Sequence, residues 1–397
     1  MPGLSKFSGR DTVENVVVFI SDSLRYDALP TDVAERGVAG RTIAASTYTA
    51  TSVPSMMTGL YPARHCVWNF NDVLAETPPL LAGERAGTDL RTIWDNVSDP
   101  AQKPPNRVLR IRGERTVEGS EPPFTVVVHD HGGHAPYDLP DDDWSTSPAF
   151  FERYGDDPDR LVELYHAGVE TSAERFRRLV EDLEDRALLE ETLVVFTSDH
   201  GELLGEPERG GVWGHGAPVC PELVEVPTVF VGAGLPAGER IDTLLSGTDL
   251  APTALGALGE DVPADRDGLD LWNATPPEYR VVRSDFWANA GRIRYGACSA
   301  WDADGGLVRN VEGPQERLAF AAHRKWLKGA QAPANRRGPL RQYLNLLRIF
   351  GEREHVYGEP HLLRVREELV EGFETKQREA DVERISTDQL RALGYVE

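Results

Sequence analysis

Two segments of this chain run unbroken apolar residues directly into a carboxylate, and that arrangement restricts the fold more than any other feature. Val16–Ser21 (VVVFIS) leads straight into Asp22, and Thr192–Ser198 (TLVVFTS) into Asp199 and His200. Apolar runs without alternation are what strands covered on both faces of a parallel sheet require. A carboxylate placed at the end of such a strand is costly unless a partner meets it there. Val38–Ala45, Phe124–His129 and Val226–Val231 are further buried runs. Arg160–Leu183 carries Leu161, Leu164, Val169, Phe176, Leu179, Val180 and Leu183 on helical spacing. Strand and helix patterns alternate to about residue 255, which predicts an α/β fold with a doubly wound, mostly parallel sheet.

Between these runs the expectations are finer. The polar stretch Ser46–Ser52 leads into a helix that ends at Gly59, the residue type expected just past a helix C-terminus. A helix is expected over Leu90–Val97, a short strand over Arg107–Ile111, and a surface loop over the Asp- and Pro-rich residues 135–158. Residues 275–345 offer shorter strands (Arg280–Arg283, Arg292–Ala297) and no long helix, which predicts a smaller antiparallel subdomain. Residues 360–397 are charged and helical in propensity. The expected division is a catalytic domain over 12–260 and a C-terminal subdomain over 261–397.

Charge excludes some functions. Forty-two Lys and Arg against 65 Asp and Glu give a net charge of −23 over 397 residues. Such a chain repels a nucleic-acid polymer. No window approaches the ~18 uninterrupted apolar residues of a membrane span, and no apolar h-region follows the first residues. No membrane partner and a cytoplasmic location are therefore expected. Five Lys stand against 37 Arg. A surface low in Lys and rich in carboxylates suits a high-salt cytoplasm, where salt screens the repulsion, so a halophilic protein is expected. Cys66, Cys220 and Cys298 have no paired or CxxC spacing, so neither a disulfide framework nor a zinc–thiolate site is expected.

Ligand sites of open α/β sheets lie at the carboxyl ends of the strands. Asp22, Asp199 and His200 end strands there, Thr49 begins the helix before Gly59, and His134 follows the strand Phe124–His129. Two carboxylates and an imidazole at one sheet edge suggest a metal site with oxygen and nitrogen ligands.

Several segments occur in the order of a known family. VVVFISDSLRYDAL resembles the opening segment of sulfatases and their relatives in the alkaline phosphatase superfamily. TYTATSVPSMMTGLYPARH resembles their nucleophile helix, and HGGHAPYD their PHxPY segment. LVVFTSDHGELLGE resembles their second metal segment, with WGHG, VPTVFVGAG, TDLAPTAL and LRALGYVE following in order. The resemblance implies an alkaline-phosphatase-like α/β fold and a hydrolase of phosphate or sulfate esters acting on a small-molecule substrate. It implies one or two divalent ions (Ca, Mg, Mn or Zn), held by Asp22, Asp199 and His200 with Thr49 as the activated nucleophile. Ser23 stands where sulfatases often carry a second Asp. Thr49 stands where sulfatases carry the Cys that becomes formylglycine, with Thr51 and Val53 in place of the accompanying Pro and Arg. Thr at this position is similar to the nucleotide pyrophosphatase/phosphodiesterases. A covalent phospho-Thr is then expected, with phosphate esters turned over faster than sulfate esters. A phosphoryl transferase using the same Thr, or an arylsulfatase-like hydrolase, is the alternative. His134 and His215 would either contact the substrate or, with Asp130, hold a second metal.

Overall fold

The computed structural model describes residues 3–91, 97–137, 147–290, 293–327, 329–370 and 373. Its first strand, β1 (Asn15–Ser21), is buried along its whole length. Val16, Val18 and Ile20 face one core, while Val17 and Phe19 face another. This two-sided burial is what the unbroken apolar run requires. The remaining strands are β2 (Val38–Ile43), β3 (Ala86–Arg91), β4 (Thr125–Asp130), β5 (Thr192–Thr197), the short pair β6 (Leu203–Leu204) and β7 (Trp213–Gly214), β8 (Glu225–Gly232), β9 (Glu239–Ser246), β10 (Val282–Ala290), β11 (Ile293–Asp302), β12 (Gly305–Asn310) and β13 (Glu354–Gly358).

The central sheet runs β3-β4-β1-β5-β8-β2-β9. β3, β4, β1 and β5 pair in parallel, as do β2 and β9, whereas β8 is antiparallel to both β5 and β2. The fold is thus α/β with a mostly parallel sheet, as the alternating patterns predict. Helices α1 (Thr49–Thr58), α2 (Ser147–Tyr154), α3 (Pro158–Asp185) and α4 (Leu250–Ala257) accompany it. Met56, Met57, Ala254 and Leu255 cover one face of the sheet, and Leu161, Phe176, Val180 and Leu183 of α3 the other.

A second sheet of order β10-β11-β12-β13 is antiparallel throughout. Two helices accompany it, α5 (Pro314–Trp326) and α6 (Leu340–Gly351). The cluster of Phe286, Tyr295, Trp301, Phe320 and Phe350 is continuous with Ile43, Cys220, Leu223 and Leu244, so this unit packs on the central sheet's edge.

Four local expectations are corrected. Arg107–Ile111 is not a strand: Pro104 and Pro105 open a short helix, Pro104–Leu109, because proline is preorganised for the first helical turn. The edge position belongs to β3, so the helix expected from Leu90 is strand at Leu90 and Arg91, and residues 92–96 lie outside the described residues. The region 275–345 does contain long helices. The buried face of α5 carries Arg317, Arg324 and Lys325 beside Phe320 and Ala321, which hides its helical period from a reading of apolar spacing. Within the loop expected over 135–158, Ser147–Tyr154 is helical and residues 138–146 lie outside the described residues.

Candidate active site

The carboxyl ends of β1 and β5 lie side by side in register, with Ile20 opposite Thr197. Each strand delivers its carboxylate to the same edge. Gly133 N donates to Asp22 O at 2.7 Å, which holds the loop after β4 against the end of β1. Gly132 has φ +54°, and a Cβ there would sit 2.4 Å from Asp22 O, so only glycine fits this approach. Helix α1 is tied to the same edge by Ser52 Oγ, which donates to Asp199 O at 2.6 Å. Thr49, its first residue, is thereby placed over the strand ends.

Asp22, Asp199 and His200 each offer a ligand atom within 4.8 Å of the others, and all three are buried. His200 Nδ1 lies 2.8 Å from Gly201 O, so this nitrogen carries the proton. Nε2 then presents its lone pair, 3.8 Å from Asp22 Oδ1, 3.5 Å from Asp199 Oδ2 and 3.1 Å from Thr49 Oγ1. Asp199 Oδ1 accepts from the His200 amide at 3.0 Å, but its buried Oδ2 has no hydrogen-bond partner.

The electrostatics follow from burial and neighbours. Burial, reinforced by the Asp22 charge, raises the Asp199 pKa. Burial alone would raise Asp22 too, but the imidazoles of His134, His129 and His200 outweigh it and hold Asp22 well below the usual carboxylate range. His129 Nε2 lies 3.3 Å from Asp22 Oδ2, and that contact outweighs its own burial and raises its pKa. Two buried carboxylates, an orphaned oxygen and an imidazole lone pair form a donor set that fits a divalent cation.

Two further histidines stand above this group. The ring centroid of His215 is 4.5 Å from that of His200 and 5.2 Å from that of His134. Burial lowers the His134 pKa to about 4, against the opposing pull of Asp22, so its ring is neutral at neutral pH. Asp130 is turned elsewhere. Its buried carboxylate lies 3.2 Å from Arg175 Nη1 on α3 and accepts from Gly132 N, and it is not part of the group formed by Asp22, Asp199 and His200.

Three residues beyond the sequence-based set contribute. Glu202 lies 3.1 Å from His215 Nδ1. Arg324, fully buried on α5, donates to Ala217 O at 3.0 Å and Trp213 O at 2.6 Å, across the loop that carries His215. His129 lines Asp22. The Glu in DHGE stood near the metal segment, which was a usable signal; nothing in the sequence pointed to Arg324.

Comparison with known proteins bears on the family and the fold. A family model described as Sulfatase matches residues 107–260. The "Low-salt glycan biosynthesis sulfotransferase Agl7" of Haloferax volcanii is 41% identical over 404 residues, covering 99% of each chain. The "Uncharacterized sulfatase YdeN" of Escherichia coli is 26% identical over 38% of this chain and 26% of its own length. Among solved structures, a 2-O GAG sulfatase aligns with a TM-score of 0.60 at 16% identity, covering 76% of this chain and 83% of that one. The phosphonate monoester hydrolase of Agrobacterium radiobacter aligns with a TM-score of 0.57 at 16% identity, covering 75% and 87%. With the near-complete match to the Haloferax protein added to the strand-end carboxylates and the fold, the chain belongs to the sulfatase family of the alkaline phosphatase superfamily.

Proposed function

We propose that this protein transfers a sulfuryl or phosphoryl group from an ester donor to a sugar hydroxyl through a covalent Thr49 intermediate, with water as the competing acceptor. The observation that carries this reading is the place of Thr49 Oγ1, at the start of α1 and 3.1 Å from His200 Nε2 beside two buried carboxylates. A divalent ion held by Asp22, Asp199 and His200 would lower the pKa of the Thr49 hydroxyl and neutralise the incoming anion. Thr49 Oγ, its hydroxyl proton already lost to solvent, forms the new bond to sulfur or phosphorus as the donor's ester bond to that atom breaks, and it leaves again as the alkoxide when the acceptor displaces it. The departing oxygen takes a proton, and His215 stands at the site to provide it, while the neutral ring of His134 lies beside it in contact with the substrate. In the second step the acceptor hydroxyl gives a proton back to the same histidine, and its oxygen displaces Thr49.

Transfer is favoured over hydrolysis for two reasons. The near-full-length relative bears the name of a glycan biosynthesis sulfotransferase. A threonine also lacks the second hydroxyl with which a formylglycine hydrate expels its sulfate, so a sulfo-Thr would persist until an acceptor arrives. The same threonine supports a second reading, hydrolysis of phosphate esters, because a phospho-Thr can be opened by water attacking phosphorus. In both readings His134 and His215 act on substrate rather than on a second metal, a view supported by the engagement of Asp130 with Arg175.

Quenched incubation with nitrophenyl sulfate and nitrophenyl phosphate, followed by peptide mass measurement, tests the intermediate. One sulfuryl or phosphoryl group on Thr49 is expected, absent from Thr49→Ala, which should remain folded by circular dichroism. Added mono- and oligosaccharides should divert product from free anion to modified sugar. Undiminished turnover by Thr49→Ala would overturn the nucleophile, and release to water alone would leave the hydrolase.

A further inference from the structure

The acidic composition of this chain has one large exception. From Arg317 to Gly351 there is no Asp or Glu, although 65 acids in 397 residues would place about six in these 35 positions. The same stretch holds eight cations: Arg317, Arg324, Lys325, Lys328, Arg336, Arg337, Arg341 and Arg348. It folds as α5, α6 and their connection. The inner side contributes Phe320, Ala321, Leu346 and Phe350 to the core of the C-terminal unit. The outer side exposes Leu318, Trp326, Leu327, Leu340 and Leu344, more than half of the large apolar side chains exposed among the described residues. Leu340 (72% exposed) and Leu344 (54%) lie one helical turn apart on α6, so they share a face. The Trp326 ring packs 4.5 Å from Tyr343, joining the end of α5 to that face. Arg336, Arg337, Arg341 and Arg348 are exposed around it, with Arg337 paired to Asp156 and Arg348 to Glu352.

We propose that this face of α5 and α6 docks on an anionic lipid bilayer. Leucines and a tryptophan ringed by arginines are the composition of helices that lie in a membrane interface, with apolar side chains among the acyl chains and cations at the phosphates. A partner of this kind is the complement of a basic apolar patch on a chain that is elsewhere strongly negative. Two copies meeting symmetrically through the patch would set arginines against arginines. Such docking needs no spanning helix, and none of the described helices is long and apolar enough to cross a membrane. The inner face of α5 carries Arg324, which holds the His215 loop, so the docking face and the active site are joined through one helix.

Vesicle flotation of the full chain tests the proposal without reference to activity, at a salt concentration where the protein is folded. Vesicles of phosphatidylcholine containing phosphatidylglycerol should carry the protein upward, and phosphatidylcholine alone should carry at least tenfold less. Leu340→Glu/Leu344→Glu should lose flotation, and Leu363→Glu, an exposed leucine outside the patch, should retain it. These positions are exposed, so the variants should fold, with circular dichroism as the check. No flotation of the wild type, or equal flotation of the double variant, would overturn the proposal. Sedimentation velocity in which Leu340→Glu/Leu344→Glu dissociates a dimer, without vesicle binding by the wild type, would assign the face to a second copy instead.

Discussion

Glu202 Oε2 and His215 Nδ1 lie 3.1 Å apart in a buried contact between the segment after β5 and the loop after β7. A carboxylate there keeps the proton on Nδ1, so Nε2 is left free for the proton transfer proposed for His215. Tyr48, the residue before the proposed nucleophile, stacks on the same imidazole with ring centroids 6.1 Å apart. Thr47 Oγ1 donates to Gly216 O at 2.5 Å, tying the nucleophile loop to the His215 loop. Thr49 and His215, the proposed nucleophile and proton-transfer group, are therefore positioned as one unit.

Glu202→Gln should lower kcat on the order of ten- to a hundredfold. Bound metal, measured by elemental analysis, should be unchanged. A change in the His215 ring tautomer, read by nitrogen NMR, should accompany the loss. An unchanged tautomer with reduced kcat would assign Glu202 another role.

Asp199→Asn should separate apo stability from metal binding. The Asp199 pKa is raised by burial and by Asp22. A raised carboxyl contributes stability that is full below its unfolded pKa of about 3.9 and lost as pH rises through the folded value. At neutral pH the metal-free wild type carries that penalty, and asparagine removes it. The metal-free variant should melt at or above wild type, while the rise in Tm on adding divalent ion, and activity, should disappear. A preserved metal-induced rise would argue against Asp199 as a ligand.

Arg324→Ala should damage the His215 loop in particular. The side chain satisfies the carbonyls of Trp213 and Ala217 from a buried position, and burial lowers its pKa to about 10. Its removal leaves buried acceptors without donors, at about 1–3 kcal/mol each. Hydrogen exchange should accelerate over 213–217, and kcat should fall more than KM rises. Arg324→Lys, which lacks the planar fork, should recover only part of both.

His65 should shape acid unfolding. Its Nδ1 accepts from Val67 N at 3.1 Å and its Nε2 lies 2.9 Å from Ser55 Oγ, so protonation would break the first contact. Burial lowers its pKa to about 3. A histidine depressed in the folded state contributes stability that is present above pH about 6.5 and lost as pH falls towards the folded value, at about 1.4 kcal/mol for each pH unit crossed. His65→Gln should flatten the fall of Tm with pH across that window. An unaltered slope would place the acid sensitivity elsewhere.

Salt should stabilise the fold. A net charge of −23 repels itself, and the screening length falls from about 10 Å at 0.1 M to about 3 Å at 1 M. Thermal melts across a KCl series should show a rising midpoint, and a flat series would remove the halophilic reading.

Much of the site was legible because it is local in the chain. A strand covered on both faces announces itself by an unbroken apolar run, and a carboxylate at its end needs no distant residue to be noticed. Asp22, Asp199 and His200 were visible for that reason, whereas Thr49 stood out among its hydroxyl neighbours only through its place in the segment that resembles the family's nucleophile helix. The partners of these groups were not legible. Asp130 lies opposite Ser21, one position short of Asp22, and Arg175 of α3 binds it; this offset between neighbouring strands is fixed only when they pair. The antiparallel direction of β8 was equally hidden, since a fully buried run reads the same in either direction. α5 escaped notice because Arg317, Arg324 and Lys325 occupy its buried face, where they bond to carbonyls more than a hundred residues away in the case of Arg324 and Lys325. Sequence determined which groups must leave water. Only the tertiary structure decided what each meets there, because charge compensation is set by distance in space and leaves no period along the chain.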